Sequence, residues 1–195
     1  MASPVYVPAA SPGNLIASGT AVAKSGGFGA FVDASAVFEA QVTTKFETGS
    51  AVSTTAGVTT SAYHVYGSTT LGAGASAAST SITVASAAGL LAGQQIALPS
   101  EIVTIASNYT AGSTTVPVSA LQYSYASGAP VYLVEQTPSA SVQLASPSGA
   151  AYAASTAYSK TLYLGTSRYF VYLNNLDATN GVTVEATVDL FSGVA

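Results

Sequence analysis

Few side chains in these 195 residues can do acid–base or nucleophilic chemistry. There is one histidine, His64, and no cysteine. A hydrolytic triad would have to use His64 as its base, with one of many serines as nucleophile. No Gly-x-Ser-x-Gly elbow presents such a serine. His64 stands in the run Tyr63-His64-Val65-Tyr66, where a strand histidine with an ordinary hydrogen bond is the simpler reading. General acid–base catalysis needs carboxyl groups held together with pKa values pushed apart. The 8 acidic residues are Asp33, Glu39, Glu47, Glu101, Glu135, Asp177, Glu185 and Asp189. Glu39 and Glu47 share the parity of a solvated strand face, as do Glu185 and Asp189, which accounts for these four without catalysis. No catalytic residue is assigned, and the chain is expected not to be an enzyme.

Without cysteine, a metal would have to rely on oxygen ligands and one imidazole. Asn174, Asp177 and Asn180 fall in one turn and could approach a calcium ion, but their spacing is not that of an EF-hand loop, and turn formation explains them. Gly72-Ala-Gly74-Ala-Ser-Ala77 superficially matches a dinucleotide fingerprint, yet it precedes a strand-like run and not a helix. No metal and no cofactor are expected. Asn108-Tyr-Thr110 is a glycosylation triplet of a common kind. The basic residues Lys24, Lys45, Lys160 and Arg168 are spread along the chain. Counterion release needs a cluster of cations, so nucleic acid is not expected as a partner. Tyrosine is the richer resource, with 12 copies. Tyr123 and Tyr125 lie in one loop, and Tyr152 and Tyr158 flank another. A tyrosine offers large contact area with a polar end, which suits an interface, and packing at strand edges is the alternative.

Only 6% of residues are charged, against about 25% in ordinary soluble domains. Net charge is −4 and mean hydropathy is +0.44. The most apolar window, Ile82 to Leu98, is broken by Thr83, Ser86, Gly89, Gly93, Gln94 and Gln95, so no membrane-spanning helix is expected. Met1-Ala-Ser-Pro-Val-Tyr-Val-Pro lacks a cationic region and a long apolar core, so export by a signal peptide is not expected. So weakly charged a surface is poorly suited to isolation in water, and coverage by other subunits is the expectation.

The elements that must carry these residues are strands. Pro4, Pro8 and Pro12 forbid a helix and favour an extended N-terminal arm. Val5, Tyr6 and Val7 in this arm, with Tyr123 and Tyr125, are the candidate partner-contact residues. Ala36 to Glu47 alternates apolar and polar residues with period two. Residues 58–66 are expected to pair with it in a long hairpin, bracketed by Gly49 and Gly57. Further strands are expected at 15–23, 28–32, 139–145, 160–164, 168–173 and 182–190. Asn174-Asn175 and Asn180-Gly181 punctuate the last connection, the Asn-Gly pair suiting a tight turn with positive φ. Between these halves, 81–134 holds a weak repeat. Ile82-Thr-Val84 and Gly93-Gln-Gln-Ile96-Ala-Leu98 are matched about 34 residues later by Val116-Pro-Val118 and Gly128-Ala-Pro-Val131-Tyr-Leu133. Pro117 marks its strand as an edge or a bulge, and Ala87 to Gln95 could form one helical turn. The expected fold is all-β: a β-sandwich, jelly-roll or Ig-like, split by an inserted small β domain. The expected divisions are an arm at 1–14, a sandwich from 15–68 and 137–195, and the insert at 69–136.

Three stretches carry a resemblance. Phe31-Val-Asp-Ala-Ser-Ala-Val-Phe-Glu-Ala-Gln-Val-Thr is similar to the opening of small bacteriophage β-sandwich proteins. Ser81-Ile-Thr-Val through Gly128-Ala-Pro-Val-Tyr-Leu looks like β modules of phage head and tail accessory proteins. Tyr169-Phe-Val-Tyr-Leu-Asn-Asn-Leu-Asp, running into Val182-Thr-Val-Glu-Ala-Thr-Val, looks like the closing hairpin of such sandwiches. Together they cover roughly two-thirds of the chain and resemble virion structural proteins of tailed phages. The resemblance implies a capsid decoration (cement) protein, or a neck, tail or fibre accessory protein that meets a host receptor. It implies assembly in the host cytoplasm into the virion. The expected partners are other copies of the chain, with a trimer as one expected form, and the major capsid protein or other virion proteins.

Overall fold

The computed structural model describes residues 6–8, 13–48, 57–144 and 155–194. Among these there is no helix, and fourteen strands follow one another. They are β1 (Tyr6–Pro8), β2 (Gly13–Val22), β3 (Gly27–Asp33), β4 (Glu39–Glu47), β5 (Val58–Thr70), β6 (Ser81–Thr83), β7 (Gln95–Leu98), β8 (Glu101–Thr104), β9 (Thr115–Pro117), β10 (Pro130–Val134), β11 (Ala140–Leu144), β12 (Ala157–Leu164), β13 (Arg168–Asn175) and β14 (Val182–Val194). The fold is all-β and sandwich-like. One sheet runs β1-β14-β4-β12, with β2 also on β14. The facing sheet runs β3-β13-β5-β10-β7-β8, with β11 also on β5.

Period two decides what is buried. Along β4, Ala40, Val42, Thr44 and Phe46 point inward and Glu39, Gln41, Thr43, Lys45 and Glu47 point outward. The inner residues meet Val58, Ala62, Val171, Leu173, Val184 and Ala186 in one core. Inside it, the hydroxyls of Thr44 and Thr60 bond to each other at 2.9 Å, linking the two sheets through buried polar groups.

Two expected hairpins are corrected. β4 and β5 do not pair: β4 lies between β12 and β14, and β5 joins β13, β11 and β10. Nor do β13 and β14 close a hairpin, since they lie in opposite sheets. The reason is the same in both cases. Each strand has an apolar face, and consecutive strands that cross between sheets bury those faces against each other. Periodicity reveals the face but not the neighbour. Gly181 does not adopt positive φ; the turn before it is built by Asp177, whose Oδ1 accepts from the Thr179 and Asn180 amides at 2.6 and 2.8 Å. Residues 87–94 form turns and no helix, and Gln95 begins β7.

The second sheet curls until its last strand approaches its first, where Gly29 N donates to Ser100 O at 2.9 Å. The inside of the curl holds Val65, Ala97, Val134 and Phe170, with Phe31 stacked on Tyr132 at 4.6 Å. A separate core fills residues 71–133, with Leu71, Ile82, Ile96, Ile105, Val116 and Val131 all buried. Here the sequence repeat becomes a pseudo-twofold. Ile82 pairs with Val116, and Ala97 with Tyr132, so equivalent residues face each other across an axis. The irregular bonds obey it as well. Ala85 N→Thr70 O is answered by Ser119 N→Thr104 O, and Gly128 N→Leu71 O by Gly93 N→Ile105 O. By the same relation, the end of β5 corresponds to β8, and Gly67 to Glu101.

Candidate functional site

His64 ends the stretch of β5 that pairs with β13, opposite Tyr169. Its Nδ1 lies 3.4 Å from Glu135 Oε1, and its ring lies 4.8 Å from that of Tyr169. Ser139 Oγ donates to the other oxygen of Glu135, not to the imidazole. The serine meets the carboxyl group and not the imidazole, so the three do not take the serine–imidazole–carboxylate order of a hydrolytic triad, and the group joins the chain crossings at the root of the insert. Asn175 Nδ2 donates to Ala23 O and Asn180 O, and Asp177 is fully buried in its own turn. Among the described residues no cluster of metal-ligating side chains occurs.

The tyrosines named from sequence converge on Glu101. This residue is buried, and its carboxyl oxygens accept from Gln122 N at 2.9 Å, Tyr123 N at 3.2 Å and Tyr125 Oη at 3.0 Å. Tyr123 in turn donates to Gly27 O at 2.9 Å and meets the Phe28 ring edge-on at 5.6 Å. Gln122 Oε1 accepts from Gly27 N at 3.2 Å. The loop is thereby tied to β3. Glycine is required there, because a Cβ on Gly27 or Gly29 would fall 2.0 Å from Tyr172 Oη or 2.4 Å from the Phe170 ring. Burial, with Glu101 nearby, pushes the Tyr123 phenol up and the Tyr125 phenol much further up. Burial likewise pushes Tyr172 up to about 12. These phenols stay protonated at neutral pH, and those of Tyr123 and Tyr125 act as hydrogen-bond donors.

Tyr123 and Tyr125 thus make defined contacts within their own chain. Residues 6–8 pair with β14 of the same chain, Tyr6 opposite Val194, while Val5 lies outside the described residues, as does Tyr152. Tyr158 stacks on the core residue Phe46 at 5.4 Å. A groove of about 490 Å³ lies beside Tyr123, lined also by Ala21, Val22, Ala23, Gly181, Val182 and Thr183.

What sequence reasoning missed is how charge is distributed in space. Strand register puts Glu185 and Asp189 of β14 on the same face as Glu39, Lys45 and Glu47 of β4. Lys45 Nζ lies 3.8 Å from Glu185 Oε2. Four of the chain's 8 acidic residues therefore share one outer face. By contrast, residues 67–134 contain a single Asp, Glu, Lys or Arg, and it is the buried Glu101. The described surface of residues 67–134 carries no side chain of these types, and the exposed Glu135 follows directly after them, 3.4 Å from His64. The signal was present in the sequence as a gap in the spacing of charges. Compared with known proteins, the chain matches no family model, and no curated protein matches it.

Proposed function

We propose that the chain is a structural protein of a bacteriophage virion: a capsid decoration (cement) protein that bridges capsid subunits and is incorporated in the host cytoplasm. The observation that carries this reading is the surface of residues 67–134 without Asp, Glu, Lys or Arg, set beside a sandwich face that gathers half of the acids. A surface of Ser, Thr, Ala and Gly can be covered by protein without desolvating a charge. At about 25 cal/mol per Å² of apolar area, modest contacts repeated by shell symmetry add up to substantial reinforcement. The major capsid protein is the main partner in this reading, and neither nucleic acid nor membrane is one.

The test is a heat challenge of purified particles. Particles made without the chain should lose their genome at lower temperature, and adding the purified chain should restore resistance. Absence of the chain from purified virions would contradict the reading. The groove beside Tyr123 favours a second one, a neck, tail or fibre protein that binds a host receptor. In that case the purified chain should bind host cells and block infection, and Tyr123→Ala should weaken both.

A further inference from the structure

Strand β3 ends its sheet, paired along its length with β13 alone. Its other side is a row of backbone N–H and C=O groups. Sheets normally shield such a row from further strands with an inward charge, a proline or a bulge. β3 has none of these. Residues 26–32 contain no Asp, Glu, Lys, Arg or Pro. Its single charged residue, Asp33, is its last and accepts from Ser35. The register with β13 runs from Asp33 to Gly27 without a shift. Nor is there room for a charge, because both faces of the strand are covered. Phe28, Ala30 and Val32 pack on the sandwich core. Phe31 packs inside the curl, stacked on Tyr132. Gly27 and Gly29 admit no side chain, since Tyr172 and Phe170 occupy that space. A strand so placed cannot carry its own shield, and its edge has to be covered from elsewhere in the chain.

The insert covers it. Gly29 N donates to Ser100 O at 2.9 Å, Gly27 N donates to Gln122 Oε1 at 3.2 Å, and Gly27 O accepts from Tyr123 Oη at 2.9 Å. Glu101 joins the two covering pieces. It follows Ser100 in the chain, and its carboxyl group holds the amides of Gln122 and Tyr123 and the phenol of Tyr125. We propose that this docking is an autoinhibitory contact: the insert occupies the edge of β3 and so prevents a second copy of the chain from adding its own β3 there. Backbone groups on a strand edge pair with any extended strand that reaches them. Two uncovered β3 edges can pair antiparallel about a twofold axis with no charge set against its like. Two of the three covering bonds come from side chains on a loop, so they can be removed without cutting a strand ladder. The contact lies within one chain, and it is tested in solution without particles.

The experiment compares the full chain with two variants. Gln122→Ala/Tyr123→Phe removes two of the three bonds and keeps the ring of Tyr123. Glu101→Ala frees the loop and the Ser100 turn together. Sedimentation velocity over a range of concentrations should show each variant self-associating at a concentration about tenfold or more below that of the parent chain. Gly112→Ala is the control: it strains the insert at a φ of 87° without touching the contact with β3, and it should sediment as the parent does. Hydrogen exchange locates the new contact. The Gly27 and Gly29 amides should be protected in the parent, exchange about tenfold or more faster in the dilute double variant, and regain protection once that variant associates. Circular dichroism checks that each variant keeps its β spectrum, and if Glu101→Ala does not fold, the double variant decides alone. The proposal is overturned if the double variant sediments as the parent at every concentration, or if Gly112→Ala associates as strongly as it does. It is equally overturned if the two glycine amides exchange no faster in the dilute double variant, or gain no protection on association.

Discussion

Glu101 shows how one residue can break a repeat to useful effect. Its pseudo-symmetric counterpart is Gly67, which has no side chain, whereas Glu101 gathers two amides and a phenol and fixes the loop that docks on β3. Glu101→Ala leaves those donors without their buried acceptor and should cost about 2–4 kcal/mol, read as a lower urea midpoint with unchanged slope. Gly29→Ala drives a methyl group into Phe170, whose ring is fully buried and has nowhere to retreat. A loss of about 1–3 kcal/mol is expected from the same measurement. The tyrosines set the alkaline limit. Tyr125 and Tyr172 have folded pKa values above the ordinary 10.0. The folded state therefore holds their protons when the unfolded chain has released them, so their contribution is full below pH 10 and is lost as pH rises through the folded values. Stability should fall above pH 10, and Tyr172→Phe should move alkaline unfolding to higher pH, as followed by phenolate absorbance.

The strands themselves were largely legible from alternation: β4 buries every second residue, as its sequence indicates. Which strand neighbours which was not, because a buried face can be satisfied within either sheet. The repeat was legible as similarity but not as symmetry, since only pairing shows that Ile82 meets Val116. That symmetry makes its own prediction. Ala78 and Gly112 hold equivalent positions, with φ of 66° and 87°. A Cβ at positive φ costs about 1 kcal/mol. Ala78→Gly should therefore stabilise the insert by up to about 1 kcal/mol, and Gly112→Ala should destabilise it by a similar amount, both by thermal unfolding. The sandwich edges are guarded by different means. In β12, Lys160 sits opposite the buried Thr44, a charge on the core side of an edge strand. In β2, Gly19 at φ 77° accompanies shifts in register with β14. Both devices discourage further strands from adding there.

At the scale of the whole molecule, scarcity of charge was visible in composition, but its segregation needed the fold. Glu39 and Asp189 are far apart in sequence and share a face only because β14 pairs with β4. Tyr123 and Tyr125, picked out from the sequence for partner contact, are tied to Gly27 and Glu101, and Tyr123 also borders the groove beside β2. The proposal therefore turns on residues 67–134, whose surface carries no Asp, Glu, Lys or Arg, as the covered part and the acidic sheet as the exposed part. Cryo-electron microscopy of the assembled particle tests this most directly. The predicted map shows the chain in many symmetry-related copies, with residues 67–134 packed against neighbouring subunits and the outer face of β4 and β14 in solvent. A particle in which the acidic face is buried and the insert projects freely would contradict it.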